Sequence, residues 1–202
     1  VLEAGTFRRE DHSYWVGSSE LISVTTVLRR TGLISGAEYF TERARRRGEA
    51  SHLACWYDDQ GDLDETTLSP SVRPRLEAWR KFRAATAHWQ QVAIEEPMFS
   101  TDLGVAGTPD RIYRSGSQLF IPDIKTAALE APWWNLQSAG YGLLAERAYG
   151  VSRASIRRFS VRLLEDGNFR LAEHRNRADY ERFRAALLVA QLQKEFGSAI
   201  ED

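Results

Sequence analysis

"GTPDRIYRSGSQLFIPDIKT", residues 107–126, alternates apolar and polar residues on either side of a glycine-centred turn. That pattern predicts a β-hairpin. Its turn, RSGSQ at 114–118, folds the arms together, so Asp110 at a strand position of the first arm comes near Asp123 of the second. Side chains alternate faces along a strand, so Asp123 and Lys125 point the same way and Ile124 points into apolar packing. Gly107 lets backbone or ligand come close. Two adjacent carboxylates are poorly tolerated unless a cation neutralises them or one keeps its proton. Oxygen donors favour a hard ion such as magnesium or manganese. A lysine beside them orients a water or stabilises charge on a phosphate. In isolation, DIK reads equally as a surface hairpin with a solvated lysine, so the flanking sequence has to decide.

Working outward, Glu95 in VAIEEPMF (92–99) offers a third carboxylate, while its neighbour Glu96 faces the opposite side of a strand. Gln137 and Tyr141 are four residues apart in a helical stretch, so they share a face. His52 follows an arginine cluster and a glycine in RRRGEASH (45–52), where it can face a metal or a phosphate.

The coarse reading is a mixed α/β chain. TFRREDHSYWVG is a short hairpin or arm, and SVTTVLRRTG a short helix capped by Ser23 and stopped at Gly32. GAEYFTERARRRGEASHLACWYDD is helical with an interruption at Gly48, and a second long helix runs from Pro70 to about Gln91. Then come VAIEEPMF and the acidic hairpin as strands, a helix closed by Gly150, a second hairpin turning at EDGN (165–168), and a final amphipathic helix. The expected division is one domain over 1–202: hairpin and helices over 1–91, a sheet core over 92–175, and a C-terminal helix over 176–202.

With 43% hydrophobic and 27% charged residues among 202, the composition is that of a globular domain. No apolar run reaches bilayer length and the opening carries no signal-peptide pattern, so a cytoplasmic protein without membrane association is expected. A single cysteine, Cys55, excludes an internal disulfide and a cysteine-rich metal cluster. A net charge of −1 is not that of a generally basic nucleic-acid binder, yet the arginines cluster. They fall at 43–47 (Arg43, Arg45, Arg46, Arg47), along RPRLEAWRKFR (73–83), and at Arg153, Arg157, Arg158 and Arg162. Trp15, Trp56, Trp133 and Trp134 are candidate platforms for unpaired bases, though each alone reads as core.

In order, GEASH with His52, Glu95, GTPD ending at Asp110, PDIKT with Asp123 and Lys125, and QSAGY from Gln137 to Tyr141 resemble the motifs of PD-(D/E)XK nucleases. The similarity is greatest to the RecB-like branch, including single-strand exonucleases of phage and mitochondrial type. The resemblance implies a restriction-endonuclease-like core, a mixed central sheet flanked by helices under an N-terminal helical roof. It implies that Asp110, Asp123 and the Ile124 carbonyl hold magnesium or manganese, with His52 completing the site and Glu95 binding a second ion or water. Lys125 would position the attacking water, supported by Gln137 and Tyr141. The implied activity is metal-dependent DNA cleavage from single-stranded ends in repair, recombination or phage replication, with a possible recombination or replication protein partner. Arg43, Arg45, Arg46, Arg47 and the arginine track over 73–83 would hold the phosphate backbone of the strand, and Trp133 and Trp134 its bases. Pro109 departs from the usual branched residue, and the cysteines of iron–sulfur relatives are missing, so no cluster is expected. The rival readings are a non-cleaving nucleic-acid binder, a hydrolase of small phosphate esters, and an endonuclease with an open cleft.

Overall fold

The computed structural model describes residues 3–34 and 41–198. Strands β1 (Thr6–Arg8), β2 (Ser13–Val16) and β3 (Ser19–Ser23) form a meander, and helix α1 (Val24–Arg30) follows directly. Ser23 caps α1 by accepting the Thr26 amide, as its sequence predicts, and Gly32 sits just beyond its end with φ 71°. Helix α2 spans Glu42–Gln60, capped by Thr41 and closed by the left-handed Gly61. It passes through Gly48 without the expected interruption. The GAEYF part of that prediction lies outside the described residues.

Helix α3 (Arg73–Ala85) is shorter than the expected span from Pro70 to Gln91. Thr86 ends it by turning its hydroxyl back to the Phe82 carbonyl, and Gln90 and Gln91 already belong to strand β4 (Gln90–Ile94). The single strand expected over VAIEEPMF is likewise two. Glu95 adopts a left-handed φ of 45° and Pro97 lacks an amide hydrogen, so β4 ends and β5 (Met98–Ser100) starts in a new direction. Strands β6 (Val105–Gly107), β7 (Arg111–Ser115) and β8 (Gln118–Lys125) follow, then helix α4 (Trp134–Tyr149), β9 (Ile156–Leu163), β10 (Phe169–Glu173) and helix α5 (Ala178–Ser198).

The strands make two mixed five-stranded sheets, in the orders β1-β2-β3-β6-β5 and β10-β9-β8-β7-β4. The chain passes from the second sheet to the first at Glu95–Pro97 and back to the second between Gly107 and Arg111. Pairing is parallel between β3 and β6 and between β8 and β9, and antiparallel elsewhere. The hairpin expected over TFRREDHSYWVG forms as β1 and β2, and β3 joins it to the first sheet. Side chains of α1, α4 and α5 fill the space against both sheets, with Val27, Leu28, Ile121, Leu143, Leu144 and Phe183 fully or almost fully buried. On the other face of the second sheet, α2 and α3 bring Cys55, Trp79 and Phe82 onto Ile124 and Val161. Asp123 and Lys125 thus look toward α4, and Ile124 into the α2–α3 layer.

Helix α4 approaches α5 closely because it carries glycine. A Cβ on Gly140 would sit 2.7 Å from Phe183 and 2.8 Å from Val24. Gly140→Ala is expected to destabilise the fold by about 1–3 kcal/mol through overpacking, despite alanine's higher helix propensity. Urea unfolding followed by circular dichroism checks this, and an unchanged or raised midpoint contradicts it.

Candidate active site

The hairpin builds the site. Register Tyr113↔Phe120 extends to place Asp110 opposite Asp123. Asp110 lies just before β7 rather than within it. Its Oδ2 accepts the Ile124 amide at 2.6 Å, fixing the carboxylate against β8. On the other side the Glu95 amide donates to the Asp110 carbonyl at 3.0 Å, so the corner between β4 and β5 aims Glu95 at the same place. Glu96, its rival from sequence, is exposed. From α2, His52 Nδ1 comes within 3.3 Å of Asp110 Oδ1.

His52, Glu95 and Asp110 each offer a donor atom within 4.8 Å of the others' donors. An imidazole with two carboxylates fits a divalent cation. Asp123 is placed differently: its carboxylate makes an ion pair with Lys125, which also donates to Gln137 Oε1 at 2.7 Å. Gln137 in turn donates to Tyr141 Oη at 3.2 Å and to Thr25 Oγ1 at 3.4 Å. The geometry thus joins all seven side chains selected from sequence, with the Ile124 backbone between them.

Neighbouring charges act differently on the two aspartates. Burial disfavours charge on both, but His52, Lys125 and Arg111 overcome it at Asp110 and bring its pKa down to about 2. At Asp123 burial prevails, aided by the Asp110 charge against the opposing Lys125, and its pKa is raised. Burial and the Asp110 charge also raise Glu95. At His52, desolvation opposes the charged form, yet Asp110 and Asp123 outweigh it and raise its pKa.

Sequence reasoning missed the support under the acids. Arg111 is fully buried, donating to Asp59 Oδ2 at 2.7 Å and to the Asp110 carbonyl at 2.6 Å, with Glu95 3.8 Å away. Asp59 on α2 also holds the Trp79 indole. Nothing in the sequence pairs positions 59 and 111, so only the fold discloses this brace.

Two grooves meet here, and Asp110 and Tyr141 line both. One, about 730 Å³, is walled by His52, Lys125, Leu129 and Trp133; the other, about 690 Å³, by Arg9, His12, Arg29 and Glu95. Trp133 is half-buried, and Lys125 Nζ lies 5.2 Å from its ring centroid. Trp134 is 4% exposed, so it is core and not a base platform. Trp15 and Trp56 are half-buried, the first under Arg8.

The arginine clusters are mostly committed elsewhere. Arg45 and Arg46 pair with Glu42, and Arg45 also with Glu49, on their own helix. Arg43, Arg46 and Arg47 line a separate groove of about 550 Å³ with Ser69 and Ser71. The expected track over 73–83 is corrected: Arg75 is buried against Glu165, Arg80 pairs with Asp58, and Arg83 pairs with Asp59. Arg153, Arg157 and Arg158 are held by Glu146, Glu173 and Asp179.

Acids, a lysine and an imidazole converging on a groove of a mixed α/β scaffold are equipped for acid–base and metal chemistry on an anion. The chain belongs to the PD-(D/E)XK nuclease superfamily, whose family model matches residues 26–200. No curated protein matches it. Among solved structures it is similar to an alkaline exonuclease (LHK-Exo) from Laribacter hongkongensis, with 13% identity, 89% of this chain and 94% of that one covered, and a TM-score of 0.41. SSO0001 is similar at 12% identity, with 88% and 78% covered and a TM-score of 0.41.

In chelator, Asp110→Asn should lower the melting temperature more than Asp123→Asn does, since the Asp110 charge is favoured in the fold and the Asp123 charge is opposed. The sign follows from linkage: a depressed carboxyl pKa stabilises above the ordinary carboxylate range, and that contribution fades as pH falls toward about 2. The reverse order of melting temperatures at pH 7 would contradict the charge assignment.

Proposed function

We propose that the chain is a divalent-metal-dependent deoxyribonuclease that hydrolyses phosphodiester bonds from single-stranded ends. The observation that carries this reading is the chain of contacts from Asp123 through Lys125 and Gln137 to Tyr141, set beside the His52–Glu95–Asp110 cluster where two grooves meet.

Asp110, His52 and Glu95 would hold magnesium or manganese, with Asp123 and the Ile124 carbonyl beside them. The ion would supply Lewis-acid stabilisation of the phosphoryl oxygens and a more acidic water. Lys125 keeps one donor direction beyond its contacts to Asp123 and Gln137. With it, the lysine positions the attacking water and meets negative charge developing on the phosphate. Gln137 presents its carbonyl to the lysine and its amide to Tyr141, so the ammonium is held at one place. When the water attacks phosphorus, the bond to the leaving sugar oxygen breaks; the attacking water gives up a proton and the leaving oxygen takes one up.

A single strand suits the grooves on either side of Asp110 and Tyr141. Trp133 offers a stacking face on one side and Arg9 and Arg29 offer phosphate contacts on the other. Helix α2 borders the site through His52, and we take a free end to be threaded there in preference to lateral loading of a closed loop. End resection of this kind belongs to recombination, repair or replication.

Labelled DNA in linear and circular, single- and double-stranded forms, with magnesium, manganese or chelator, tests the proposal. Linear single strands should shorten with metal, and closed circles should persist. Efficient nicking of single-stranded circles would replace threading by an open endonuclease cleft. Lys125→Ala is expected to slow cleavage at least ~100-fold while oligonucleotide affinity changes only a few-fold. Cleavage near the wild-type rate in that variant would remove the lysine from the chemistry.

A further inference from the structure

Strand pairing carries the Lys125 position outward across the sheet. Lys125 of β8 is registered with Arg162 of β9, and Arg162 with Arg170 of β10. Directly registered residues share a face. The neighbours agree: Val161, Leu163 and Phe169 pack into the α2–α3 layer, and Arg157 meets Glu173 on that same side. Arg162 and Arg170 therefore stand on the Lys125 side, forming a row of three cations at successive strand spacings of about 4.8 Å.

This row is unlike the other arginine clusters. Arg162 is 7% exposed, yet no hydrogen bond, ion pair or ring contact engages it among the described residues. Its Nε is sealed from solvent without a partner, whereas its terminal nitrogens are not sealed. Arg170, at the sheet edge, is exposed and likewise has no partner among the described residues. Like charges directly opposite each other on neighbouring strands are destabilising, and a buried cation without a counter-charge is costly. Every other buried arginine has a carboxylate or carbonyl: Arg75 has Glu165, Arg111 has Asp59, and Arg158 has Asp179. One step along the strands, Ser160 Oγ and His174 Nε2 lie 2.8 Å apart and add polar groups beside the row.

We infer that Lys125, Arg162 and Arg170 form a phosphate track running across the strands, on which successive backbone phosphates of a nucleic-acid strand lie between the cleavage site and the β10 edge. Arg162 contacts the phosphate next to the scissile one, and Arg170 the one beyond. Only the identification of the polyanion as nucleic acid rests on the nuclease reading. The track assigns strand binding to two arginines of the second hairpin in place of the helix-paired Arg45 and Arg46.

Binding of a fluorescent oligothymidylate, followed by anisotropy in chelator over a range of salt, provides one arm. Arg162→Met and Arg170→Ala should each weaken binding and flatten the salt dependence by about 0.7 in the log–log slope, and the double variant by about 1.4. Arg184→Ala, an exposed change on α5, should match wild type. Slopes unchanged in both track variants would overturn the inference. The second arm is independent of the nuclease reading. Sulfate should raise the melting temperature of wild type more than that of Arg162→Met, and without sulfate the variant should melt no lower than wild type. Equal sulfate shifts, or a variant that melts well below wild type in its absence, would mark Arg162 as a structural residue and reject the track.

Discussion

The hydrogen bond from the Ile124 amide to Asp110 sets the site. It continues the β7–β8 hairpin past the last regular pair, using a side chain where the backbone ladder has stopped. A carboxylate locked in that position cannot rotate away from its neighbours, so every surrounding element has to answer its charge. His52 answers from α2, Lys125 from β8 and Arg111 from β7. Arg111 in turn requires Asp59 in a buried ion pair on α2. The hairpin and helix α2, distant in sequence, are thus held together by one acid.

The same constraint explains why two aspartates of one hairpin behave differently. Low dielectric surroundings magnify both attraction and repulsion, and full ionisation of both acids would cost more than one lysine returns. Asp110 takes most of the compensation, and Asp123 shares Lys125 with Gln137. A bound divalent cation would change this balance, because its charge acts on both carboxyls at once.

Much of this site was legible because it is local. Alternation fixes the faces of Asp123, Ile124 and Lys125, and an i, i+4 spacing fixes Gln137 beside Tyr141. Both are properties of an isolated strand or helix. The Ser23 cap and the EDGN turn were readable for the same reason. What escaped is non-local or subtractive. Asp59 and Arg111 meet only after α2 docks. The arginines of 73–83 looked free because their acids, Asp58, Asp59 and Glu165, lie in other elements. Trp133 and Trp134 are adjacent and chemically alike, and helix orientation alone leaves one half-open and buries the other. Glu95 was placed in a strand because single-residue left-handed geometry has no strong signature outside glycine and asparagine.

That left-handed corner at Glu95 also bears on how the chain tolerates insertions and deletions. The segment Glu95–Pro97 hands the chain from one sheet to the other while delivering a carboxylate to the site, with no spare residue between these tasks. Adding or removing one residue there would turn Met98, Phe99 and Ser100, all buried, to the wrong sides of β5 or shift Glu95 away from Asp110. Surface turns such as 116–117 face no such demand. Length variation in relatives should therefore collect at those turns, with the distance from Ile94 to Met98 held constant.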